Sequence, residues 1–165
     1  MSDVVFIDTS VYLNILDVTG FNQSKDDVLS VFEGMAADYL ILPLATIFET
    51  GNHISKLPDE NQRLKFAQTM INHVCGVPGK KPLFQPIQMP STLDFTKWLA
   101  EFPNYAKVPK KAKKAKTEGG SLSDLTIKRE WKKACDNKLF RHRRVRIWSL
   151  DSDLSSCDRK PQKGM

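Results

Sequence analysis

The chain has 165 residues, 41% hydrophobic and 27% charged, which suffices for one domain with its own core, leaves no room for a second and excludes wholesale disorder. Three cysteines, Cys75, Cys135 and Cys157, are odd in number and lack CxxC spacing, which excludes a disulfide framework and a structural zinc site. The net charge of +6 is uneven, because residues 107–146 hold 15 Lys/Arg against 4 Asp/Glu, an asymmetry suited to a polyanion and equally to a solvated basic face.

Val4-Val5-Phe6-Ile7 is a continuous apolar run rich in β-branched residues, the pattern of a parallel strand buried on both faces, and Asp8 ends it. The opening ten residues carry Asp3 and Asp8 around only four apolar positions, too few for a signal peptide. No run approaches the roughly 20 apolar residues that cross a membrane, so a cytoplasmic, reducing setting is expected.

Ser24-Lys25-Asp26-Asp27 reads as a capped helix start, with Val28, Val31, Phe32 and Met35 following at helical spacing. Residues 39–42 form a second strand, stopped by Pro43. Leu44–Ser55 then reads as a helix with Ile47, Phe48 and Ile54 on its buried side and Glu49 near its start.

A further helix over 59–75 carries Leu64, Ala67, Met70, Ile71 and Val74. Residues 83–89 are expected to form a third strand, interrupted by Pro86, and 92–101 a short helix. Beyond it, 102–120 holds Pro103, Pro109, six lysines and Gly119-Gly120 and is expected to be a mobile basic loop. Ser123 is the expected N-cap of a helix to about Cys135, 145–150 the last central strand, and 157–165 a short polar tail without a clear final strand. This order gives one domain over residues 1–156 with an α/β fold: a three-layer α/β/α sandwich around a mainly parallel sheet of four or five strands.

In open parallel sheets, sites form beyond the carboxyl ends of the strands. Asp8 closes the first strand, Asp151 follows the last, Asp124 opens the late helix behind Gly119-Gly120-Ser121, and Glu49 lies about one turn into the helix after strand two. Each acid alone has a structural explanation: a helix cap for Asp8, favourable dipole interaction for Asp124, a turn for Asp151. Their joint placement at one edge makes them a candidate site. Asp26, Asp27, Asp59, Glu60 and Glu130 instead read as residues of helix starts or solvent faces.

Four carboxylates at close range repel one another and call for a strong counter-charge. A set of oxygen donors without His or Cys favours Mg²⁺ or Mn²⁺ over zinc, and such ions activate water for attack on a phosphodiester.

The residues also resemble a known family. Val4-Val5-Phe6-Ile7-Asp8-Thr9-Ser10-Val11 resembles the opening motif of PIN domains, an apolar strand ending in Asp-Thr-Asn/Ser, and Leu42-Pro43-Leu44-Ala45-Thr46-Ile47-Phe48-Glu49 resembles the second, with its helical Glu. Ser121-Leu122-Ser123-Asp124-Leu125-Thr126-Ile127 is similar to the third, and Trp148-Ser149-Leu150-Asp151-Ser152-Asp153-Leu154 to the fourth. The motifs are short, and their specificity lies in four occurring in order over residues 4–56 and 119–154.

The resemblance implies a PIN-like fold and a metal-dependent nuclease, frequently an endoribonuclease acting on single-stranded or structured RNA. It implies Asp8, Glu49, Asp124 and Asp151 as the catalytic set holding one or two Mg²⁺ or Mn²⁺ ions, Asp153 as an auxiliary ligand, and Ser10 as a residue that orients a ligand or water. PIN-domain toxins of toxin/antitoxin pairs have a similar small form, which implies an inhibitory antitoxin-like partner and self-pairing into a homodimer.

Beside such a site, Lys107, Lys110, Lys111, Lys113, Lys114 and Lys116 are expected to grip a nucleic-acid backbone, with Arg141, Arg143, Arg144 and Arg146 as a second cationic patch; neither implies sequence recognition. The alternatives are a solubilising segment for the lysines and pairing with a partner protein's acids for the arginines. Trp98, Trp131 and Trp148 read as core, and His53, His73 and His142 show no ligand spacing. A haloacid-dehalogenase-type phosphatase would carry DxDxT where Ser10 replaces the second Asp. The rival from another class is a catalytically silent PIN-like module that binds RNA or a protein.

Overall fold

The computed structural model describes residues 1–110 and 118–162, and within them Val4–Ile7 forms β1 with all four side chains buried, as a strand covered on both faces must be. Helices α1 (Thr9–Ile15) and α2 (Lys25–Glu33) lead to β2 (Tyr39–Ile41), followed by α3 (Leu44–Ser55) and α4 (Glu60–Cys75). Then come α5 (Thr92–Lys107), α6 (Leu122–Asp136), a 3-10 turn at Lys138–Phe140, β3 (Val145–Trp148), α7 (Ser152–Ser155) and β4 (Asp158–Arg159).

The sheet has four strands in the order β2-β1-β3-β4, parallel except for β4, which runs antiparallel to β3. Register places Val4 opposite Tyr39 and Val145, and Ile7 opposite Trp148. The chain therefore leaves β1 and β3 side by side at the same edge.

Alternation along β1 divides the core between two faces. Val5 and Ile7 join Val11, Tyr12, Leu16, Val28, Leu40 and Phe66 on one side, while Val4 and Phe6 join Ile127, Val145, Ile147 and Leu154 on the other. Helices thus flank the sheet on both sides, the arrangement of an α/β/α sandwich.

Several expectations need correction. Residues 83–89 form no strand: with Pro82, Pro86 and Pro90 in or beside the segment, ladder donors are missing, and the segment is held by Gln85 N–H to the Leu40 carbonyl (2.8 Å) and Leu83 N–H to the His73 carbonyl (3.2 Å). Helix α5 does not stop at 101 but continues through Pro103 to Lys107. Before the proline it is paired with α6 through Glu101 with Arg129 and Asp94 with Lys133, and beyond it Tyr105 and Ala106 pack against Gly120 and Gly119, with Lys128 over the Tyr105 ring.

Ser121, not Ser123, caps α6, accepting from Asp124 N–H at 3.0 Å. Ser24 precedes α2 without a side-chain cap bond, its backbone at φ −105° and ψ 18° lying outside the extended conformation of a capping residue, and its N–H is donated to the Asn14 side chain at 3.0 Å. Phe48, expected inside, is 65% exposed. The segment read as a polar tail contains β4, held by the pair of Arg144 with Asp158. No helix among the described residues is long and apolar enough to cross a membrane.

Gly119 and Gly120 are fixed by close approach to the end of α5. A Cβ on Gly119 would stand 1.7 Å from the Ala106 carbonyl oxygen, and one on Gly120 2.1 Å from Cε1 of Tyr105. Gly119→Ala must therefore displace backbone and is expected to lower stability by about 1–3 kcal/mol, as overpacking does. A urea midpoint equal to that of the parent would show that this contact is not made in solution.

Candidate functional site

Asp8 follows β1 directly and is 6% exposed. Its N–H donates to the Trp148 carbonyl at 3.0 Å, continuing the β1/β3 pairing by one residue, and its carboxylate caps α1. Oδ2 accepts from Ser10 Oγ at 2.7 Å and from Ser149 Oγ at 2.8 Å. Burial pushes the Asp8 carboxyl above the usual range, and the two serine hydroxyls with the Thr9 and Ser10 N–H groups offset part of that rise.

The same hydroxyls reach the end of β3. Ser10 Oγ accepts from Leu150 N–H at 3.0 Å, and Ser149 Oγ accepts from Asp151 N–H at 2.9 Å. Asp8 and Asp151 are thus linked through Ser149, which is buried and which was read in the sequence only as part of a motif. Asp151 caps α7 by accepting from Asp153 N–H at 2.7 Å, so Asp153 lies on the first turn of that helix beside it. On the α3 side, Glu49 Oε2 accepts from Thr9 Oγ1 at 2.6 Å, which joins the second motif to the first.

Asp124 lies in the first turn of α6, and its Oδ2 is 3.1 Å from Lys110 Nζ, with both side chains largely covered. Burial works against the Lys110 charge, but the hydrogen bond to Asp124 and the fields of Asp124, Asp151 and Glu118 outweigh it, and the ammonium is held above its ordinary pKa. The chain's own cation therefore interacts with two of the four acids. Asp8 and Asp151 are linked through Ser149, Glu49 is bonded to Thr9 next to Asp8, and Asp124 is paired with Lys110.

The acids also serve the structural roles open to them, since Asp8 and Asp151 are both helix caps. Among the described residues, no three His, Cys, Asp or Glu side chains are grouped closely enough to hold a metal ion.

The basic residues separate. Lys107 is exposed in the last turn of α5, Lys110 faces Asp124, and Lys111, Lys113, Lys114 and Lys116 lie outside the described residues. The arginines gather at the other edge of the sheet, where β1 and β3 begin, so they do not flank the acids. Arg144 forms a two-pronged pair with Asp158 at 2.8 and 2.7 Å, Arg146 lies 3.4 Å from Asp3, and Arg143 covers the Tyr39 ring at 4.3 Å while bonding Ser2. Arg141 meets the Gln162 side chain at 3.2 Å. These contacts fasten β3 to the N-terminus and to the segment around β4.

Trp98 is buried, whereas Trp131 and Trp148 are partly buried and pack against the two cores, Trp131 donating to the Val145 carbonyl at 3.0 Å. Comparison of the chain with protein-family models, with curated proteins and with solved structures finds no match.

Proposed function

We propose that the chain is a metal-dependent phosphodiester hydrolase of the PIN type, acting as an endoribonuclease. The supporting observation is the linked edge: Asp8 and Asp151 follow adjacent parallel strands, share the Ser149 hydroxyl, and are joined by Glu49 through Thr9 and by Asp124 through Lys110. The four motif resemblances point to the same residues, and an oxygen-only donor set suits a hard divalent cation.

Asp8, Glu49, Asp124 and Asp151, with Asp153 beside them, would hold Mg²⁺ or Mn²⁺, which supplies Lewis acidity and a water of lowered pKa. Ser10 and Ser149 fix the Asp8 carboxylate in one orientation, and Thr9 does the same for Glu49. Lys110 releases Asp124 and takes a backbone phosphate oxygen as its new partner, a contact that holds substrate without reading sequence.

Purified protein with Mn²⁺ is expected to cut a labelled single-stranded RNA and to stop on chelation. Asp124→Asn and Asp151→Asn are expected to lose upward of about 100-fold, since even outer-shell partners of a metal site are worth about 10–100-fold. A folded protein that leaves RNA intact across Mg²⁺ and Mn²⁺ concentrations would end the enzyme reading. The silent-module reading draws on Lys110 seated against Asp124, with the acids ungrouped for metal among the described residues. RNA binding without cleavage is its signature.

A further inference from the structure

We propose that the cavity enclosed by β2, residues 85–90, α5 and α6 binds a small apolar organic cation, an aromatic or alkyl ammonium, with Glu130 as its counter-ion. The cavity holds about 570 Å³, within the range of roughly 300–1,000 Å³ typical of small-molecule sites. Phe6, Ile41, Tyr39, Met89, Trp98 and Phe140 give it a largely aromatic and aliphatic wall. A neighbouring hollow of about 210 Å³ shares Pro90, Trp98 and Glu130, so Glu130 lines both.

Glu130, read from the sequence as a solvent-face residue, is mostly covered, and burial pushes its carboxyl up to about 7. Among the described residues it has neither a hydrogen-bond nor an ion-pair partner. Neither cation of the cavity wall is bonded to Glu130: Lys133 Nζ is 2.8 Å from Asp94 Oδ2, and Arg143 lies over the Tyr39 ring of the same wall. A buried carboxylate without a partner is unfavourable, and a ligand ammonium relieves that cost while its carbon body covers the wall. The faces of Trp98 and Phe140 add attraction for a cation. This site is independent of the nuclease reading.

The test titrates the full-length protein at pH 8 with 2-phenylethylamine and with its neutral counterpart 2-phenylethanol, following backbone and indole N–H resonances by NMR. The amine is expected to bind at least about tenfold more tightly, equivalent to about 1.4 kcal/mol, with shifts centred on Trp98 and Glu130. In Glu130→Gln the amine is expected to fall to the alcohol's affinity while the alcohol is unchanged. Nα-acetyl-lysine methylamide, standing for a protein side chain, is expected to bind more weakly than 2-phenylethylamine because its stem covers less of the wall. Equal affinity of amine and alcohol for the parent, an amine preference that survives in Glu130→Gln, or tighter binding of the lysine derivative would each overturn the proposal.

Discussion

The Lys110→Met protein is expected to bind Mn²⁺ about 10–100-fold more tightly than the parent. Lys110 Nζ lies 3.1 Å from Asp124 Oδ2 and feels Asp151 as well, so on the proposed reading a divalent ion entering among these carboxylates must first displace an ammonium. Hydrogen bonds between charged groups are worth about 1.5–3 kcal/mol, and removing the competitor returns that amount to the metal. The metal-free variant is expected to melt earlier, because Asp124 loses its counter-charge, and the order should reverse once Mn²⁺ is added. Calorimetric titration decides the matter. Unchanged or weaker Mn²⁺ affinity would show that the lysine does not stand in for a metal.

Glu130→Gln is expected to stabilise the protein at pH 8 by on the order of 2–3 kcal/mol and to change it little near pH 4.5. Burial raises the folded-state carboxyl from the usual 4.5 to about 7, so between those values the folded protein binds a proton that the unfolded chain has released. This contribution to stability is fully present below about 4.5 and is lost as pH rises through about 7. Glutamine removes the titration, and urea unfolding at pH 5 and pH 8 should show a flatter profile in the variant. Parallel profiles would mean that the carboxyl is well solvated.

Where a residue's environment is set by its immediate neighbours, the sequence was readable. The β-branched run at 4–7 has no other easy destination than a buried strand, and Leu44–Ser55 carries its helix between Pro43 and a clear loss of pattern. Strand ends at Asp8 and near Asp151 follow from the same patterns, as do Glu49 within α3 and Asp124 in the first turn of α6.

Features set by distant chain were not readable in this way. Pro103 signals a helix end locally, yet the turn beyond it packs against Gly119, Gly120 and Lys128, and the two-residue β4 is polar and too short to show a period. Arg144 and Arg146 looked free because their acids, Asp158 and Asp3, are brought to them only by the sheet. Glu130 looked solvated because nothing in its own helix says that α5 covers it. Ser121 is legible in the sequence, since Ser121-Leu122-Ser123-Asp124 has the spacing of a helix start, but Ser123, directly before Asp124, competes for the same role.

The antiparallel bridge between Pro109 and Gly119, with Lys110 N–H donating to the Glu118 carbonyl at 2.9 Å, has a consequence for how this protein can change. Pro109 and Gly119 are held together, so for a flexible insertion between them each doubling of its length costs about 0.6 kcal/mol of closure entropy. A reporter tag or additional lysines can be spliced in at that point with the sheet left undisturbed.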